Sequence, residues 1–166
     1  KYWLHSAFVN INQEKMSKSL GNIITLADIM AKNISPLAYR YWLLSAHYRT
    51  LMNFSREALE GAASACNKLK NQVSDLAESV QHSVLDKSES NQEYLNKFTD
   101  AINNDLNLPV ALSLVWQLLD DQSPTSADKL ATILEFDKVL GLDLESATAS
   151  IEIPIKVTQL LADRES

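Results

Sequence analysis

Lys15, Ser17, Lys18 and Ser19, with Gly21 close behind, place two ammonium groups and two hydroxyls in one short stretch of chain. That set suits a polyphosphate. Each lysine is a compact point charge on a flexible stem, and each serine adds a short-range donor. Gly21 lets the backbone turn where a side chain would collide with the chain or a ligand. The chemistry such a loop offers is neutralisation of charge developing on a departing phosphate group. Residue types alone leave an equal alternative, a solvated basic loop or a phosphorylation site on an exposed segment.

The literal string Lys15-Met16-Ser17-Lys18-Ser19 resembles the second signature of the class I aminoacyl-tRNA synthetases, and several of them share the continuation Leu20-Gly21-Asn22. The flanks narrow the resemblance. Phe8-Val9-Asn10-Ile11 leads into Glu14-Lys15, then come Leu43 to Arg49 (LLSAHYR), Met52-Asn53-Phe54-Ser55 and Asn104 to Leu112 (NDLNLPVAL). This order is similar to cysteinyl-tRNA synthetase over nearly the whole chain, weakening after about Leu119.

The resemblance implies a two-step reaction. A cysteine carboxylate attacks the ATP α-phosphorus, expelling pyrophosphate, and the cysteinyl group passes to the 3′ end of tRNA(Cys). It implies Lys18 as the catalytic contact to the β,γ-phosphates of Mg-bound ATP, with Lys15 assisting. Met16 would set its backbone near adenine, or plug the loop against the core. Ser17 and Ser19 would donate to phosphate oxygens, or cap the loop.

Arg40, His47 and Arg49 are candidate tRNA contacts. His47 and Arg49 have an alternative, the last carbonyls of their own helix, where cations are favoured. Arg40 has a structural alternative at the junction with the catalytic domain. The family's zinc uses ligands upstream of Lys1, and His5, His47, His82 and one cysteine match no familiar zinc spacing, so no metal is expected here. The chain departs from the family at Asn12-Gln13, where an Asp-Gly turn is usual, and at Leu108, where a capping threonine is usual.

The net charge of −6 conceals a split: residues 1–56 hold seven Lys/Arg and two acids, whereas residues 57–166 hold eight and nineteen. A polyanion would therefore meet the first third. No apolar run approaches a membrane span, no secretory signal opens the chain, and one cysteine allows no internal disulfide. A cytoplasmic monomer is the expectation.

Scarce glycine and proline favour helix. Ala7–Asn12 is the only strand candidate. Thr25 with Asp28 forms a near capping box for a helix over 26–32, and Ser35-Pro36 starts another over 36–49. Ser55 opens the longest helix, whose seam Leu59, Ala62, Cys66, Leu69, Val73, Leu76 and Val80 predicts packing within the chain. Cys66 on that seam reads as a buried filler. Residues 81–91 read as a linker, 92–104 as a helix with Leu95, Phe98 and Ile102 inward, and 109–121 as a helix capped by Asn107. The spacing predicts a further helix over 127–140 closed by Gly141, and another over 155–166. Trp3 and Trp42 are expected in the core.

The fold class is mainly α: a short strand and the signature loop, then an antiparallel helical bundle of the anticodon-binding type. Residues 1–34 would be the tail of the class I catalytic domain, 35–145 the bundle, and 146–166 the start of a C-terminal region. Both ends read as interior to a longer protein, with the HIGH-type motif absent, so the chain alone is expected not to aminoacylate. The alternatives are the related ligase joining cysteine to an amino sugar, and a non-catalytic helical module that pairs through the heptad seam.

Overall fold

Among the described residues, three very short strands form a small sheet and the helices form a bundle. The computed structural model describes residues 1–11, 14–15, 23–81 and 89–149. In chain order the elements are β1 (Val9–Ile11), β2 (Glu14–Lys15), α1 (Leu26–Met30), α2 (Pro36–Leu44), β3 (Met52–Phe54), α3 (Arg56–Gln81), α4 (Gln92–Asn103), α5 (Leu108–Asp120) and α6 (Ser126–Leu140). A 3₁₀ turn over Glu145–Thr148 follows. The chain is therefore mainly helical, as the composition implies.

The sheet has the order β2-β1-β3, with β1 antiparallel to β2 and parallel to β3. The expected strand is present as β1. Expecting no other strand was wrong, because Met52–Phe54 reads in sequence only as the end of a helix. Its pairing partner lies more than forty residues earlier, and three residues are too few to show alternation on their own. In the folded chain they do alternate: Met52 is half-buried, Asn53 exposed and Phe54 buried.

Helix starts follow the local signals closely. Thr25 and Asp28 complete a reciprocal capping box on α1, and Ser35 caps α2 ahead of Pro36. Ser55 Oγ accepts from the Ala58 amide at the start of α3. Asn107 caps α5 in place of the missing threonine, and Gly141 ends α6 in the left-handed region.

Helix α2 stops at Leu44, five residues short of its expected end. Ser45 Oγ turns back onto the Trp42 carbonyl at 2.6 Å, and residues 47–49 are drawn away by contacts to a distant loop. Tertiary bonding outcompetes helical periodicity here.

The core is built on α3, with Leu59, Ala62, Cys66, Leu69 and Val73 buried along the predicted seam. Past Val73 the seam shifts: Ala77 is buried and Leu76 only half so. Its partners are α2, α6 and the 3₁₀ turn of the same chain. Phe98 of α4 stacks on Phe136 of α6 with centroids 4.2 Å apart, and Trp116 Nε1 of α5 donates to the Tyr41 hydroxyl of α2 at 3.1 Å. Tyr94 and Ala101 face inward with Phe98, while Leu95 and Ile102 are only half-buried.

Helix α2 meets the sheet through aromatics. Trp42 lies edge-on to Phe54 at 5.7 Å, with Tyr39 stacked beside it. Trp3, by contrast, is 86 % exposed, which corrects the expectation of a core position; no described element packs over the segment before β1. The proposed linker over 81–91 lies outside the described residues at 82–88, and so does the helix expected at 155–166.

Candidate functional site

The phosphate-type loop is attached at both ends to defined structure. Lys15 is the last residue of β2, and its backbone pairs opposite Asn10 of β1, which in turn pairs opposite Asn53 of β3. Past the loop, half-buried Ile24 packs on the core and Thr25 caps α1. Met16, Ser17, Lys18 and Ser19 lie outside the described residues, as does Gly21. The sheet therefore supplies the loop's entry and the capping box its exit.

Arg40 faces inward. Its Nε donates to the Leu140 carbonyl and its Nη2 lies 3.5 Å from the Val139 carbonyl, so the guanidinium closes the end of α6. Gly141 makes room for it, since a Cβ there would come within 2.9 Å of Arg40 Nη2. Cations are favoured at this helix end.

His47, Tyr48 and Arg49 converge on Asp105, in the connection between α4 and α5. The Tyr48 hydroxyl donates to Asp105 Oδ1 at 2.6 Å, and Arg49 Nε lies 3.0 Å from Oδ2. Arg49 Nη2 adds a contact to Oδ1 at 3.2 Å, while its Nε also donates to the Tyr48 oxygen at 2.8 Å. His47 Nε2 lies 2.8 Å from the Asp105 carbonyl oxygen, and its Nδ1 receives the Arg49 amide at 3.3 Å. Those two contacts together require the neutral Nε2–H tautomer. Neither His47 nor Arg49 serves the last carbonyls of α2, which corrects that alternative.

The Tyr48 hydroxyl, then Arg49, holds the Asp105 carboxyl below the usual carboxylate range, against desolvation. Hydrogen bonds from the Arg49 guanidinium to Tyr48 and Asp105 hold its own pKa up. Asp105 and Leu106 both adopt left-handed backbone, with φ of 56° and 53°. The Leu106 amide bonds the Ile102 carbonyl in the 5→1 manner of an αL cap, with leucine where glycine is usual, and the Asn107 amide reaches back to the Ala101 carbonyl. Holding residues in sparsely populated φ/ψ regions costs about 1–3 kcal/mol each and persists where surrounding contacts over-determine them.

Tyr48 and Asp105 are the members that residue-type reasoning missed. Both lie in segments quoted above, but nothing local joins residues 57 positions apart. Beside them an open cleft of about 270 Å³ runs between Phe8, Val9, Leu43, Leu44, Met52 and Leu108. Among the described residues, no group of three or more His, Cys, Asp or Glu is arranged to hold a metal.

Residues 1–64 match the family model of the tRNA synthetases class I (C) catalytic domain. A cysteine–tRNA ligase of Legionella pneumophila (strain Corby) is 38 % identical over 170 residues, covering 98 % of this chain and 36 % of the relative. One from Chlamydia pneumoniae is 37 % identical over 181 residues, covering 99 % of this chain and 37 % of the relative. The chain belongs to the cysteinyl-tRNA synthetase family.

Cysteine–tRNA ligase 1 of Burkholderia lata is likewise 35 % identical over 165 residues. The chain spans about a third of the length of the curated relatives it matches. Within this synthetase segment, the family model covers the sheet, α1, α2 and the start of α3, so the loop and the Tyr48 turn fall inside it.

Proposed function

We propose that this chain supplies the phosphate-gripping loop and the adjoining helical bundle of an enzyme that activates cysteine with ATP and charges tRNA(Cys). Lys18 contacts the β,γ-phosphates of Mg-bound ATP during adenylate formation and Lys15 assists, with Met16, Ser17 and Ser19 completing the nucleotide contact. The observation that carries this reading is Lys15 at the end of a paired strand, opening a two-lysine loop that a capped helix closes. Two lysines on a segment rooted in this way suit the charge that develops on a departing diphosphate.

Arg49 is the strongest tRNA-contact candidate, since its side chain is 66 % exposed at the surface of the positively charged first third. His47 supports it, and Arg40 serves the bundle. Among the described residues no helix is long and apolar enough to cross a membrane. The whole enzyme works in the cytoplasm as a monomer.

The test is Lys18→Ala in the full-length enzyme carrying this chain. Pyrophosphate exchange should fall by about 10²–10³-fold, as when one preorganised electrostatic donor is removed. Cysteine binding should hold. Equal losses in both would place the lysine in ground-state binding or folding and refute the role.

A further inference from the structure

We infer that Asp105 is a positioning residue for the nucleotide loop, acting from the helical bundle through Tyr48 on the strand pairing that leads to Lys15. The inference rests on the nucleotide reading of that loop. It is carried by a path of hydrogen bonds joined by short stretches of chain. Asp105 holds three consecutive residues of the α2–β3 connection: His47 through its carbonyl, and Tyr48 and Arg49 through its carboxylate.

Tyr48 is bonded at both ends. While its hydroxyl donates to Asp105, its backbone carbonyl accepts the Ala7 amide at 2.8 Å, just ahead of β1. Two residues after Thr50 closes the turn on the His47 carbonyl, the Met52 amide donates to the Phe8 carbonyl and parallel pairing begins. That pairing sets Val9 opposite Met52, Asn10 opposite Asn53 and Ile11 opposite Phe54. The other edge of β1 then holds Lys15 opposite Asn10 and Glu14 opposite Ile11.

The strands are too short to hold this register by themselves: β1 and β3 have three residues each and β2 has two. Isolated ladders of this length are marginal in water. Their geometry must come from what they are tied to, and two ties are present. Phe54 is wedged against Trp42 of α2, and the 47–49 turn is clamped by Asp105. The clamp accounts for the left-handed backbone at Asp105 and Leu106, which turns carboxylate and carbonyl of one residue toward the same turn. A surface loop with no further duty would relax from that conformation or place glycine there.

The experiment uses the full-length enzyme with two substitutions. Asp105→Gly keeps the positive φ and removes the carboxylate, and Tyr48→Phe removes one hydroxyl at constant shape. In both, the kcat of pyrophosphate exchange should fall about tenfold or more, because small misplacement of a catalytic group is costly, while the KM for cysteine stays within about twofold. Asp105→Asn, which still accepts from Tyr48, should recover most of the loss. Unchanged exchange in both variants overturns the inference. So does a fall in kcat that comes with a matching rise in cysteine KM and a lowered thermal midpoint, since that is a folding defect. Lys18→Ala is measured alongside. If it also leaves exchange intact, the nucleotide reading fails and takes the inference with it; if it alone lowers exchange, only the role of Asp105 falls.

Discussion

Replacing Gly141 with alanine tests whether Arg40 is a clamp on the bundle. Gly141 ends α6 with φ of 61° and ψ of 44°, and an added Cβ would lie 2.9 Å from Arg40 Nη2 and 3.2 Å from its Cζ and Nε. The first cost is backbone, about 1–2 kcal/mol for a side chain in the left-handed region. The second is displacement of the guanidinium from the Leu140 and Val139 carbonyls. Hydrogen bonds from a charged group contribute about 1.5–3 kcal/mol, of which a flexible side chain recovers a part by moving. Together they predict a loss of roughly 2–4 kcal/mol, or a thermal midpoint lower by about 4–16 °C in a chain of this size.

Urea unfolding followed by far-UV circular dichroism measures it, with an unchanged m-value as the check on two-state behaviour. The decisive arm is a double-mutant cycle. In an Arg40→Ala background, Gly141→Ala should retain only its backbone cost, a coupling of about 1–2 kcal/mol. Strict additivity would refute the clamp and return Arg40 to the pool of tRNA contacts.

Two further outcomes follow from buried and cap-forming groups. Thr132 is fully buried, with Oγ1 accepting the Asn91 amide at 2.8 Å and donating to the Asp128 carbonyl at 2.6 Å. Thr132→Val leaves that amide without a partner and should lower stability by about 1–3 kcal/mol in urea titration, and a variant as stable as the parent would contradict the assignment. The Asp128 carboxylate accepts the Glu89 amide, while its own amide donates to Thr125, the N-cap of α6; hydrogen bonds from Glu89 and Thr125 to the carboxylate hold it below the usual range. A depressed native pKa gives stability that is complete above the unfolded value of about 4 and is lost as pH falls through the native one. The urea midpoint should thus drop between roughly pH 5 and 3 and drop less in Asp128→Asn; a midpoint that stays level or rises on acidification refutes the sign.

Sequence alone determined where the described helices start, their caps and the family. Thr25 with Asp28, Ser35 before Pro36, Asn107 and Gly141 act on backbone groups within one turn, so their effect is local and legible without a fold. The seam of α3 was legible for the same reason as far as Val73, because a 3.6-residue period is a property of the helix itself. Where the neighbouring helices lie is not such a property, and that is why Ala77 rather than Leu76 closes the seam.

The rest was decided by pairs distant along the chain. β3 exists because β1 lies beside it, α2 is cut short because Asp105 draws the following turn aside, and Trp3 is exposed because no described element reaches it. Tyr48 and Asp105 each look ordinary in their own segment. Their hydrogen bond spans 57 residues of chain and depends on how the intervening helices pack, so no local pattern carries its trace. The proposed chemistry of the two lysines rests on residue types, whereas the strand pairing that ends at Lys15 is a product of tertiary contacts.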